Sequence, residues 1–251
     1  MIKSSVAERI ADIELARLDK KNAFTGEMYA SLAGALAAAD ADANVRVVLL
    51  HGSSDCFSAG NDVSDFLKRD ASTSSPAVRL FDALPAMKKP VVAAVGGPAI
   101  GIGSTLLLHC DLVYASANAR FQLPFVPLGI TPEFGSTYLL PLLAGYQRAA
   151  ELLLLGQPFN ADKAKEVGIV TAVFPQETLL DEARKAAKAL AALPPESIRL
   201  TKQLMKKRYG TALGETIREE TKIFSERLSS AEAKEAMSAF LEKRKPDFSR
   251  F

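Results

Sequence analysis

Two apolar runs of strand-like composition, residues 45–51 and 90–95, each lead into a glycine-bearing turn. The first turn is Phe57-Ser58-Ala59-Gly60-Asn61-Asp62, and the second is Gly101-Ile102-Gly103-Ser104. Both runs are short and nearly free of polar residues, as strands covered on both faces are. A chain built this way can bring two turns to one edge of a buried sheet, with main-chain N–H groups aimed at a common point. Such a pair holds an oxygen that gains negative charge during a reaction. Gly60 frees the backbone just before Asn61. The N–H of Ile102 stands at a helix start, where the first donors lack partners within the helix. On the residues alone, two ordinary strand-to-helix turns explain the pattern equally well.

The rest of the chain extends the alternation. Residues 9–18 read as a strand, Thr25 as the cap of a helix through Ala39, and residues 78–87 as a helix. Residues 71–76 are small and polar, a loop. Residues 101–110 read as a helix that is apolar all round. Residues 111–115, 120–123 and 169–174 read as strands. Residues 131–143, 145–155, 160–166 and 178–193 read as helices. Strands alternating with helices predict an α/β fold with a parallel sheet. After Pro194-Pro195 the character changes to three helical stretches, 196–209, 211–228 and 231–243. Residues 1–193 thus form the expected core and residues 194–251 a helical appendage. That appendage is too small to stand alone, so it is expected to pack on a neighbour or on another subunit.

Composition removes several classes of function. A net charge of +2 over 251 residues is too small for a nucleic-acid surface. Lys202, Lys206, Lys207, Arg208, Lys243, Arg244 and Lys245 are concentrated in the last third, a pattern expected of solvated helix faces. Cys56 and Cys110 make no disulfide framework. No apolar run is long enough to suggest a membrane span, no signal pattern opens the chain, and Ser249-Arg250-Phe251 is not a Ser-Lys-Leu address. A cytoplasmic protein is therefore expected. With only His51 and His109 and no Cys-x-x-Cys, no zinc site is expected.

Several segments carry a resemblance in their order and spacing. They are Lys21-Asn22-Ala23-Phe24, Phe57 through Asp62, Lys89-Pro90-Val91-Val92-Ala93-Ala94-Val95 and Gly101 to Gly103. Cys110-Asp111-Leu112-Val113-Tyr114-Ala115, Ala161 to Gly168 and Ala239-Phe240-Leu241-Glu242-Lys243-Arg244 complete the set. Over nearly its whole length the chain resembles the crotonase, or enoyl-CoA hydratase/isomerase, superfamily. The resemblance implies a spiral of ββα repeats with a C-terminal helical region, and a homotrimer or hexamer. It implies a coenzyme A thioester whose carbonyl rests on the N–H groups of Asn61 and Ile102, with Gly60, Gly101 and Gly103 shaping the turns. Coenzyme A is then part of the substrate, and no separate cofactor is expected. The resemblance also implies adenine contact at the Ala59 backbone and phosphate contacts at Lys20 or Lys21. Phe240 and Lys243 are implied to reach coenzyme A from a neighbouring subunit.

The acid-base residues narrow the chemistry. The two positions that carry glutamates in the hydratases are Thr105 and Phe125 here. Hydration needs one group to orient water and another to protonate the α-carbon, and neither residue does this well. One carboxylate remains, Glu133 in Thr131-Pro132-Glu133-Phe134-Gly135-Ser136, which resembles the motif of peroxisomal-type Δ3,Δ2-enoyl-CoA isomerases. Phe125, Leu128, Ile130 and Phe134 are expected to desolvate Glu133 and raise its pKa. The same segment also spells a helix start: a cap, a proline and an acid in the first turn. Asp62 is expected to cap the following helix, Cys56 to be a buried filler and His109 a hydrogen-bonded helix residue. Ser104 and Thr105 either line the pocket or bond back within their helix. The activity so implied is an enoyl-CoA isomerase. A hydratase or hydrolase using Glu133 to activate water, and a non-catalytic acyl-CoA binding protein, are the alternatives.

Overall fold

The structure, a computed structural model, describes residues 1–62 and 75–251. A hairpin of β1 (Ile2–Ala7) and β2 (Ile10–Leu15) opens the chain, followed by helix α1 (Gly26–Ala41). Strand β3 (Val47–His51) and helix α2 (Val78–Ala86) come next, then β4 (Val91–Val95), β5 (Pro98–Ile100) and the one-turn helix α3 (Ile102–Thr105). Strands β6 (Leu112–Ser116) and β7 (Arg120–Gln122) precede helices α4 (Ser136–Ala144) and α5 (Tyr146–Leu155). Strand β8 (Phe159–Asn160), helix α6 (Ala161–Glu166), strand β9 (Ala172–Phe174) and helix α7 (Leu179–Ala192) complete the core. Three helices end the chain: α8 (Pro195–Lys207), α9 (Gly210–Leu228) and α10 (Ala231–Leu241).

The main sheet runs β1-β2-β3-β4-β6-β9. Only β1 pairs antiparallel; the remaining neighbours are parallel, in registers such as Ile10 to Val47, Val48 to Val91 and Val92 to Leu112. A smaller sheet, β5-β7-β8, turns each repeat away from the first, with Ala99 opposite Phe121. The strand pairs β4-β5 and β6-β7, each followed by helix, show the ββα repeat that the family resemblance implies. Alternating residues explain the two layers. Val48, Leu50, Val91, Ala93 and Val95 face the large core, while Val47, Leu49, Val92 and Ala94 face α7. Leu179, Ala183, Ala187 and Ala191 recur every four residues on α7, a narrow stripe that lets the helix lie close to the sheet.

The structure changes several boundaries. Strand β1 escapes sequence reading because its side chains are almost all exposed and only its backbone pairs. Residues 101–110 form α3 and then a 3₁₀ turn over Leu106–His109. The helix expected from residue 131 starts at Ser136, because Phe134 (φ 59°) and Gly135 (φ 71°) are left-handed. The C-terminal helices share the core of their own chain through Leu213, Ile217, Phe224, Ala233 and Met237, so the expected appendage is a roof over the same body. Of the expected loop at 71–76, residues 71–74 lie outside the described residues. No helix among the described residues is long and apolar enough to cross a membrane.

A charged clasp joins α7 to the sheet. His51 Nδ1 lies 2.8 Å from the Gly52 carbonyl and Nε2 lies 2.8 Å from Asp12 Oδ1. Arg184 donates to the other Asp12 oxygen at 2.7 Å. Two acceptors on one imidazole are both satisfied only by the doubly protonated ring. Burial pulls the His51 pKa down, but the bonds to Asp12 and Gly52 outweigh it and leave it above the usual 6.5. His51 is the first influence holding Asp12 below its usual value, and Arg184 adds to it against the opposing effect of burial. A raised histidine pKa means stability that is complete below the unfolded value and lost as pH rises through the folded one. Thermal melts between about pH 6 and about pH 9 are therefore expected to show a falling Tm, and a flatter profile for Asp12→Asn. An equal slope in the variant would contradict the clasp.

Candidate active site

The segment that carries Gly60 runs between two others. On one side Phe24 donates to the Gly60 carbonyl at 2.7 Å and accepts from the Asp62 N–H at 3.0 Å. On the other, Ser58 donates to Pro98 and accepts from Ile100, both at 2.9 Å. Because Phe24 bonds to residues 60 and 62, the intervening N–H of Asn61 turns to the opposite edge. There the second neighbour departs: Gly101 adopts φ 53° and ψ −118° and starts α3. Ser104 and Thr105 both donate back to the Gly101 carbonyl, at 2.8 and 2.9 Å. Neither the Asn61 nor the Ile102 N–H donates a hydrogen bond among the described residues.

Buried polar groups hold this arrangement. Asn22, fully buried at φ 53°, accepts from the Arg17 N–H at 2.7 Å and donates to the carbonyls of Cys56 and Phe57. Its own carbonyl accepts from Ser58 Oγ at 2.9 Å, and the same hydroxyl accepts from the Gly60 N–H. Tyr29 donates its hydroxyl to Asn61 Oδ1 at 2.6 Å. Asp62 pairs with Arg17 at 2.9 Å; the helix it was expected to cap falls on residues 63–74, outside the described residues. Ser104 Oγ bonds to Ala99 across from α3, whereas Thr105 Oγ1 is buried with no hydrogen-bond partner among the described residues. Cys56 is the buried filler expected, its thiol 3.2 Å from the Lys21 carbonyl and its pKa raised by burial.

These turns open on a cavity of about 330 Å³. Ala59, Gly60, Asn61 and Gly101 form one wall, with Phe125, Leu128 and Ile130 opposite. Phe224, Met237 and Phe240 from α9 and α10 form the roof. The roof is fastened where α10 begins: a Cβ on Gly129 would meet the Ala233 nitrogen at 2.6 Å, and Arg227 donates to the Gly129 carbonyl. Phe240, implied to serve a neighbouring subunit, thus lines the cavity of its own chain because α9 and α10 fold back over it. Lys243 is exposed beyond α10. Lys20 and Lys21 are exposed, and the Lys21 carbonyl accepts from the N–H of Ala59, a residue of the cavity wall, at 2.9 Å. Ile102, Gly103 and Thr105 lie buried behind the lining.

Glu133 lies three residues beyond Ile130 and is 4% exposed. It does not begin a helix, which removes the helix-start explanation for its residue type. Its backbone carbonyl accepts from the N–H and hydroxyl of Ser136 at 3.2 and 2.6 Å. Phe134 is left-handed, a conformation that costs about 1–3 kcal/mol in a non-glycine residue. Its ring is stacked between Phe81 and His109, with centroids 4.2 and 4.0 Å away. His109 Nε2 lies 2.8 Å from the Phe134 carbonyl. Burial holds the His109 pKa down to about 3, so the ring is neutral and donates from Nε2. Glu220, on α9, accepts from the N–H groups of Gly135 and Thr137 and from the Thr137 hydroxyl. Asn22, Tyr29, His109 and Glu220 are thus supports for the two turns. The sequence shows Asn22 only as part of a matched motif, and Glu220 not at all.

A family model described as enoyl-CoA hydratase/isomerase matches residues 5–250. The 2,3-dehydroadipyl-CoA hydratase of Escherichia coli K12 is 33% identical, over 96% of this chain and 95% of its own. Enoyl-CoA delta isomerase 2 of Rattus norvegicus is 38% identical, over 94% of this chain and 62% of its own. The crystal structure of an enoyl-CoA hydratase/isomerase from Pseudoalteromonas atlantica T6c superposes with a TM-score of 0.94 at 40% identity, covering 99% of both chains.

Gly60 gives a direct test of the first turn. Its φ is 94°, and an added Cβ would stand 2.9 Å from the Ile100 carbonyl oxygen. Gly60→Ala is expected to cost about 1–3 kcal/mol in urea unfolding and to displace the Asn61 amide. Wild-type stability in that variant would mean that the turn relaxes freely.

Proposed function

This chain belongs to the enoyl-CoA hydratase/isomerase family over residues 5–250, and we propose that within it the protein is a Δ3,Δ2-enoyl-CoA isomerase. The thioester carbonyl lies between the Asn61 and Ile102 amides. Glu133 removes a proton from C2 of a 3-enoyl thioester. The C–H electron pair moves into the C1–C2 bond and the carbonyl oxygen takes up the negative charge. The two amides stabilise that dienolate; losing one such donor typically costs about 3 kcal/mol of barrier lowering. Glu133, now protonated, returns the proton to C4, the charge flows back, and the double bond lies between C2 and C3. The reaction so written needs no metal or separate cofactor. Lys20 or Lys21 serves the coenzyme A phosphates as a point charge, and Lys243 reaches coenzyme A from the C-terminal region.

One observation carries this reading: Glu133 is a buried carboxylate in a strained, braced turn, three residues beyond Ile130, which lines the cavity, although Glu133 is not itself part of that lining. None of the described residues lining the cavity has a carboxyl side chain. A single base that moves one proton is enough for an isomerase, whereas hydration calls for two groups. Thr105 and Phe125 supply no second one.

Incubation with 3-hexenoyl-CoA is expected to give the 2-enoyl isomer, and 2-hexenoyl-CoA no 3-hydroxyacyl product. Glu133→Gln is expected to lower turnover by about 10²–10⁴ while leaving thioester binding nearly unchanged. A hydroxyacyl product without a positional isomer, or normal turnover in Glu133→Gln, would overturn the proposal.

A further inference from the structure

A second cavity, of about 350 Å³, lies among α2, α4, α8 and α9 and shares no lining residue with the first. Its floor is apolar: Phe81, Leu108, Leu139, Leu213 and Ile217. Lys206 and Arg218 stand on its walls. Neither makes an ion pair among the described residues; Lys206 Nζ meets only the Pro85 carbonyl, at 3.1 Å. The one acid in the lining, Asp82, pairs with neither. His109, also in the lining, is neutral. Desolvation first, and the charge of nearby Lys202 second, lower the Lys206 pKa to about 8. The ammonium therefore bears a burial penalty that no neighbouring acid fully cancels.

Gly214 supports an occupant. It lies inside α9, where glycine costs about 1 kcal/mol relative to alanine. No positive φ or tight packing requires it: an added Cβ would meet only the Arg218 guanidinium, at 3.6 Å. Glycine there leaves this stretch of the lining without a side chain.

We propose that this cavity binds a carboxylate with a short or medium alkyl chain, its chain on the apolar floor and its anionic end between Lys206 and Arg218. The volume lies within the range of small-molecule sites. A carboxylate accepts hydrogen bonds from both cations, and charge-assisted bonds of this kind are roughly twice as strong as neutral ones. An alcohol of equal length keeps the burial and loses the charge.

Calorimetry with sodium octanoate and with 1-octanol tests this on the full chain. Octanoate is expected to bind saturably and about tenfold or more tighter than the alcohol. Lys206→Met with Arg218→Met is expected to remove that preference. Gly214→Leu, which fills the cavity and favours the helix, is expected to abolish octanoate binding without lowering Tm. Absence of saturable octanoate binding, an unchanged preference in the double variant, or unchanged binding in Gly214→Leu would each overturn the proposal.

Discussion

The site depends on one hydrogen-bonding constraint: a short segment paired on both sides that loses one partner at the point where an amide is needed. Residues 58–62 are bonded to Phe24 on one edge and to residues 98–100 on the other. Where Gly101 turns away, the Asn61 N–H is left without a bond among the described residues, and so is the Ile102 N–H at the start of α3. Nothing in this requires a polar side chain at the cavity wall. On the proposed reading, specificity lies in which backbone groups are already bonded, and so in which are left for the thioester oxygen.

Such an edge would relax if its supports were soft. Asn22 prevents this with a buried side chain that bridges residues 17, 56 and 57. The Glu133 turn is braced in the same way but at greater cost. Phe134 occupies a conformation that its residue type disfavours, and stacking on Phe81 and His109 offsets that. Glu220 caps the helix that the turn delays. Burial raises the Glu220 pKa, and the three hydrogen bonds it accepts act against that rise. The roof helices α9 and α10 therefore do two jobs. They cover the cavity, and through Glu220 they hold the turn that follows Glu133.

Much of this was legible in the residues. Buried strands declare themselves by continuous apolar runs, so β3, β4 and β6 fall within a residue or two of their expected places. Gly60 and Gly101 mark backbone conformations that other residues avoid. What escaped has a physical reason in each case. Strand β1 pairs through its backbone and buries almost nothing. Thr131-Pro132-Glu133 has the chemistry of a helix start, and only the stacking of Phe134 against residues distant in sequence defers that start to Ser136. The path of the last two helices is set by their fit to Gly129 and Gly135, where a Cβ would collide with Ala233 and Leu213. Contacts of that kind have no local signature.

The most direct test is a crystal structure with an unreactive 3-enoyl-CoA analogue. The account expects the thioester oxygen within about 3 Å of both the Asn61 and Ile102 nitrogens. It expects a Glu133 carboxylate oxygen about 3–3.5 Å from C2 and within similar reach of C4, on one face of the chain. A thioester oxygen bound elsewhere, or a Glu133 side chain directed away from both carbons, would contradict it.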